Sequence, residues 1–164
     1  MTAKDAIKIA LTGTQQLIPM YLGDLADADL LVRPVPGANH IAWQIGHVIS
    51  SEKFLLGPQL PGATYPNLPE GFDEVHNPKN AGAESTKGFL PKAQYLDLFN
   101  SVRKATLNNL EKMSDADLEQ ANTGPLAKFA PTLASLIIMM SNHTLMHAGQ
   151  FTVVRRKLGK PVVF

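Results

Sequence analysis

The residues of this chain best able to do chemistry are its five histidines, since the 164-residue sequence contains no cysteine. Without thiolates, disulfides, zinc ribbons and cysteine nucleophiles are excluded, and any metal must be held by imidazole, carboxylate and water. His143 and His147 stand four apart inside a long helical run. On a helix such side chains lie one above the other with ~5–6 Å between Cβ atoms, so both can reach a single ion. A pair is not a site, and a third ligand has to come from a facing element. His47 is the best candidate, because it shares a helix face with Trp43 and Phe54. His40 shares that face in the first turn, and His76 lies in a proline-rich stretch; each is open as an accessory ligand, a proton carrier or a surface residue.

A lone inward histidine is ordinarily a hydrogen-bonded core residue. Three such rings in one small core would cost on the order of 1–3 kcal/mol for each unsatisfied group, a cost that a shared cation removes. Three neutral imidazoles with the remaining positions open form a catalytic arrangement, because a structural zinc site takes four protein ligands. Gln150, one turn after His147, is a candidate for orienting a ligand or substrate. Gly149 reads as a point of close helix approach, Trp43 as core or pocket wall, and Asn39 as a helix cap.

These side chains need four helices to place them. The first runs from about Ala3 to Leu25, with Thr2 as N-cap and Ile7, Leu11, Ile18 and Leu22 in its apolar stripe; Pro19 should bend or break it. The second spans about His40 to Leu56 and is stopped by Gly57-Pro58. The third spans about Pro91 to Met113. The fourth spans about Thr132 to Leu158, roughly 40 Å at 1.5 Å per residue, and His143 and His147 fall in its apolar stripe. Residues 57–91 form a long connection rich in proline and glycine between helices two and three. Its composition predicts no sustained element, and it reads as a lid or wall across one end of the molecule or as a variable insertion. The pattern predicts an all-α, single-domain four-helix bundle over residues 1–164. The segments Leu22–Leu30 and Leu110–Leu118 match in register, sharing Asp-Ala-Asp-Leu, which suggests two helical hairpins of similar build.

A formal charge of +1, from 15 basic and 14 acidic residues, leaves no electrostatic footprint for nucleic acid or an anionic membrane. Only Arg155-Arg156-Lys157 cluster, at a helix end whose negative dipole they complement. With no leader pattern and no run of ~18 apolar residues, the expectation is a soluble cytoplasmic protein.

The run Asn39-His40-Ile41-Ala42-Trp43-Gln44-Ile45-Gly46-His47, taken with His143-Thr144-Leu145-Met146-His147-Ala148-Gly149-Gln150 and the closing Arg155–Pro161 stretch, resembles the DinB/YfiT-like superfamily. The resemblance covers most of the chain and weakens over residues 57–90. It implies a four-helix bundle, commonly a homodimer, in which His47, His143 and His147 bind a divalent metal: zinc or nickel foremost, with iron or manganese as further candidates. It also implies a small-molecule substrate. Characterised relatives transfer thiols such as bacillithiol or mycothiol, or isomerise a maleylpyruvate adduct with thiol help. The expectation is therefore a metal-dependent thiol transferase or hydrolase, with a low-molecular-weight thiol as a potential cosubstrate. The alternative is a non-catalytic binding or stress-associated protein stabilised by its metal.

Overall fold

Four long helices carry the fold, and each begins where a side chain can satisfy the free backbone N–H groups of a first turn. In this computed structural model, which describes residues 1–163, α1 spans Ala3–Leu22. Thr2 caps it: Thr2 Oγ1 accepts from Asp5 N at 3.2 Å, and Thr2 N donates to Asp5 Oδ2 at 2.8 Å. The helix runs through Pro19 and stops three residues short of the expected end. Leu25, beyond it, is still buried. Helix α2 spans Ile41–Leu56, and its cap is His40 rather than Asn39. The imidazole Nδ1 of His40 accepts from Trp43 N at 3.1 Å, while Asn39 Oδ1 accepts from Gly82 N at 2.7 Å and pins the following connection.

The connection from 57 to 91 is more ordered than its composition predicts. It contains the short helix α3, Phe72–Val75, and a 3-10 turn, Pro78–Asn80. Phe72 and His76 are buried and fasten it to the bundle. Helix α4 follows at Lys92–Lys112, then α5 at Asp115–Glu119, and α6 at Leu133–Lys157 with a Thr132–Ser135 capping box. Among the described residues the only β pairing is an isolated bridge between Ala121 and Thr132. No helix there is long and apolar enough to cross a membrane.

Around the bundle the order is α1, α4, α2, α6, because α1 packs on α4 and α6 and α2 packs on the same two. Successive long helices α1 and α2 therefore lie diagonally opposite, as do α4 and α6. This corrects the expectation of two hairpins. The matched segments are nonetheless equivalent locally: Asp29 accepts from Ala26 N and Asp117 from Ser114 N, each at 2.8 Å, and Leu30 and Leu118 are both buried. Each copy turns the chain after a long helix so that it can cross the bundle end rather than return alongside.

The core divides into two apolar clusters, one containing Ile18, Ile45, Phe99 and Phe151, the other Leu11, Leu56, Leu110 and Ile137. On every long helix a polar residue sits between them: Thr14, Glu52, Arg103 and Thr144, all buried. Arg103 donates to both Glu52 carboxylate oxygens, to Leu11 O, and to the hydroxyls of Thr14 and Thr144. Thr106 donates to Glu52 Oε1 at 2.7 Å. At the far end of α6, Arg155 does more than complement the helix dipole. Only 3% exposed, it bonds Asp24, Tyr21 O and Pro161 O, tying α6 to the end of α1.

Candidate metal centre

At the level of this polar layer α2 and α6 face each other, and three imidazoles meet between them. His47, His143 and His147 each offer one nitrogen such that these atoms all lie within 4.8 Å of one another. His143 and His147 come together because α6 places i and i+4 on one side, and their Nε2 atoms are 3.1 Å apart. His47 meets both rings edge-on, with centroids 5.1 and 5.5 Å away.

Two of the rings have their other nitrogen committed. Gln44, 1% exposed, donates its amide to Asn39 O at 2.9 Å, which turns Oε1 toward His147 Nδ1 at 3.0 Å. His147 Nδ1 therefore carries the proton and donates it to Gln44, leaving Nε2 a bare lone pair. His47 Nδ1 likewise donates to the carbonyl of His76 at 3.2 Å, and its ring is stacked on Trp43 at 4.8 Å. Burial makes all three rings resist protonation. It lowers the pKa of His47, against the pull of the His76 carbonyl, lowers His143 to about 4 with help from the neighbouring His47, and lowers His147 to about 3 with help from both partners. Near neutral pH the cluster presents uncharged imidazoles, the form that ligates a metal.

His40 and His76 stand outside the cluster. His76 Nδ1 donates to Phe72 O at 2.7 Å, and its Nε2 accepts from Tyr95 OH at 2.8 Å, so both ring nitrogens are used. Its ring lies directly on α2: a Cβ at position 46 would sit 2.0 Å from His76 Cδ2, which is why Gly46 precedes His47. His40 acts as the cap described above. Burial brings the pKa of each to about 4; Arg33 adds to this for His40, and the Phe72 carbonyl opposes it for His76.

Gln150 is exposed, and the imidazole is held instead by Gln44. The buried face of α6 is marked by Thr144, His147, Ala148 and Phe151; His143 lies at its edge, and Gln150, two turns further along, is past it. Gly149 faces open space, with nothing within 4 Å of where a Cβ would stand, so it serves no close helix approach. Phe54 shares the His47 face of α2, but that face borders an opening rather than the core, and Phe54 is 68% exposed.

The opening is a cavity of about 720 Å³ against His47 and His143, walled by Leu55, Leu126, Met139 and Met146, with Ser50 and Asp73 at its polar side. Ser50 donates to Asp73 Oδ1 at 2.5 Å. The 57–91 connection thus supplies one wall of the cavity and, through the His76 carbonyl, the group that orients His47. Gln44 could have been found in the sequence, three residues before His47 on the same helix. The carbonyl could not.

The family model for the DinB superfamily matches residues 10–151. Among solved structures, the chain is similar to YfiT from Bacillus subtilis, described as a probable metal-dependent hydrolase with an unusual four-helix bundle topology. The TM-score is 0.69 at 16% identity, over 96% of this chain and 89% of that one. At that identity the likeness shows the fold. No curated protein matches the chain.

Proposed function

Because the chain belongs to the DinB superfamily, we propose that it is a metal-dependent enzyme of hydrolytic type, with His47, His143 and His147 as the ligands of a divalent ion. The observation that carries this reading is the pair of Nε2 atoms 3.1 Å apart. With His147 Nδ1–H committed to Gln44, the His147 Nε2 lone pair points at its neighbour, and such a contact holds only with one proton or one cation between the two nitrogens. The donor set fits a metal: neutral imidazoles, two of them oriented by hydrogen bonds, as metal-ligating histidines commonly are. Imidazole nitrogen suits zinc, nickel, copper and iron alike; zinc and nickel are the ions we propose first, with iron or manganese as further candidates.

When bound, such an ion would act as a Lewis acid toward a substrate oxygen and lower the pKa of a coordinated water or thiol. The protein's own part is positional. Gln44 and the His76 carbonyl fix two rings, the cavity admits substrate on the side of His47 and His143, and its apolar walls exclude bulk water. In the hydrolysis of an ester or amide, water oxygen bonds to the acyl carbon, the bond to the leaving group breaks, and the leaving group takes up a proton. The description of YfiT as a probable metal-dependent hydrolase supports this choice. Transfer to a low-molecular-weight thiol is the variant in which sulfur replaces water as the nucleophile.

Metal analysis of protein purified without a histidine tag tests the reading. The expected content is about one equivalent per chain, with three protein ligands and an open position, lost in His147→Ala and His47→Ala. A wild-type content below about a tenth of an equivalent after incubation with zinc or nickel would overturn it. Ester turnover in the presence and absence of added thiol then separates hydrolysis from transfer.

A further inference from the structure

The two helices that supply the histidines also supply the cavity wall, and in the same phase. Along α2, His47, Ser50 and Phe54 fall on one face, and along α6, Met139, His143 and Met146 do so. Phe54 and Met146 are 68% and 54% exposed, at the rim of that cavity. Large apolar side chains exposed singly need no explanation; here they continue an apolar wall that runs inward through Leu55, Leu126 and Met139. Methionine is unbranched and adaptable, and suits a wall that closes around chains of varied shape.

Charge narrows the ligand further. Among the described residues no lysine or arginine lines the cavity, and its one carboxylate there, Asp73, is engaged by Ser50. Away from the histidines, an anionic group on the wall formed by Leu55, Leu126 and Met139 would be desolvated with no cation beside it. A polar end has its own place. A smaller depression of about 400 Å³ shares Ser50, Phe54 and Asp73 with the cavity and adds Lys53 and Asn67.

We propose that the cavity seats an uncharged acyl or aryl chain, so that the substrate is an ester or amide with an apolar chain in the cavity and a polar group in the adjoining depression. This rests on the reading of the histidine cluster as the reacting end. Its volume lies within the ~300–1,000 Å³ of sites that enclose a small molecule.

The test is fluorescence titration of the zinc-loaded full chain with N-phenyl-1-naphthylamine, followed by displacement with octanamide or acetamide. Saturable binding is expected, with octanamide displacing the probe roughly a hundredfold or more better than acetamide, since it carries six more methylenes and each one buried is worth about fourfold in affinity. Met139→Trp, which fills the cavity, and Phe54→Asp, which charges its rim, should each weaken probe binding roughly tenfold, with zinc content unchanged. Absence of probe binding, binding by both variants as tight as by the wild type, or acetamide as effective as octanamide would overturn the proposal. A chain that binds zinc and hydrolyses p-nitrophenyl esters without preference for chain length also overturns it and leaves the hydrolase reading standing. Probe binding with these selectivities but no ester turnover would overturn the hydrolase reading alone.

Discussion

Two polar groups of side chains are buried at the same level of this bundle, and they are satisfied in different ways. Around Arg103 every guanidinium N–H has an acceptor, drawn from α1, α2 and α6, and Glu52 is bonded by both Arg103 and Thr106. The arrangement is closed. In the histidine cluster the outer nitrogens of His147 and His47 donate to Gln44 Oε1 and the His76 carbonyl, while the inner ones face each other, the Ser51 hydroxyl and a cavity. That arrangement is open: the inner nitrogens have only each other and one long contact to a serine, and convergent imidazoles of this kind can take a ligand. Their proximity is economical in sequence: Thr144, which accepts from Arg103, follows His143 directly.

Acid should strike the buried imidazoles hardest, His143 and His147 of the open region together with His40 and His76 outside it. His40, His76 and His143 titrate near 4 and His147 near 3 in the folded chain, chiefly because burial disfavours the charged ring. The ordinary value is 6.5, so between these limits the unfolded chain binds more protons and stability rises with pH. The contribution is fully present above about pH 6.5 and is lost as pH falls toward 4. Melting curves of metal-free protein should fall by roughly 10 °C or more between pH 7 and 4.5. A flat profile would mean that the rings are already charged or solvated when folded.

The closed region is the more sensitive to truncation. Arg103→Ala strands Glu52 in the core, and removing one partner of a buried pair costs about 3–5 kcal/mol. Urea unfolding of the metal-free variant should show that loss, or the variant should fail to fold. Retention of wild-type stability would imply that water enters the bundle beside Glu52.

The helices were legible because their apolar stripes and first-turn signals agree: Thr2, Thr132 and Pro91 all stand at helix starts. The two α6 histidines were legible from spacing, and the pairing of His47 with them from the resemblance of the flanking motifs. What escaped depends on tertiary placement. Asn39 and His40 are both able to cap α2, and the choice is made by Gly82, whose N–H takes the Asn39 side chain. The order around the bundle is set by how the connections cross its ends, and the repeated Asp-Ala-Asp-Leu shows where they turn without showing which way. The carbonyl that orients His47 belongs to a backbone whose course is fixed by the burial of Phe72 and by His76 packing on Gly46. No residue type announces a carbonyl.

A gentler perturbation addresses how the open region is held. Gln44→Ala removes the acceptor of His147 Nδ1 but leaves all three candidate ligands in place. Loss of such an orienting partner typically weakens metal binding ~10–100-fold. Competition titration with a chromophoric chelator should register that factor with stoichiometry unchanged. Unaltered affinity would show that the ring is fixed by packing alone.

The smallest expected effect tests whether the two regions are separate. Thr144 accepts from Arg103 Nη2 at 3.1 Å and donates to Met140 O at 2.8 Å, so it belongs to the closed network while sitting beside His143 on α6. Thr144→Val keeps the shape and deletes the hydroxyl. One N–H of Arg103 then lacks an acceptor, at a cost of about 1–3 kcal/mol for a buried group left unpaired. If the closed network only holds the bundle, unfolding free energy should drop by that amount while metal affinity stays within about threefold, because no ligand or orienting bond has been touched. If affinity falls roughly tenfold or more, about 1.4 kcal/mol has been transmitted from the Arg103 network to the histidines. The closed region would then be part of what sets the spacing of the His143 and His147 nitrogens, and the two would have to be treated as one unit.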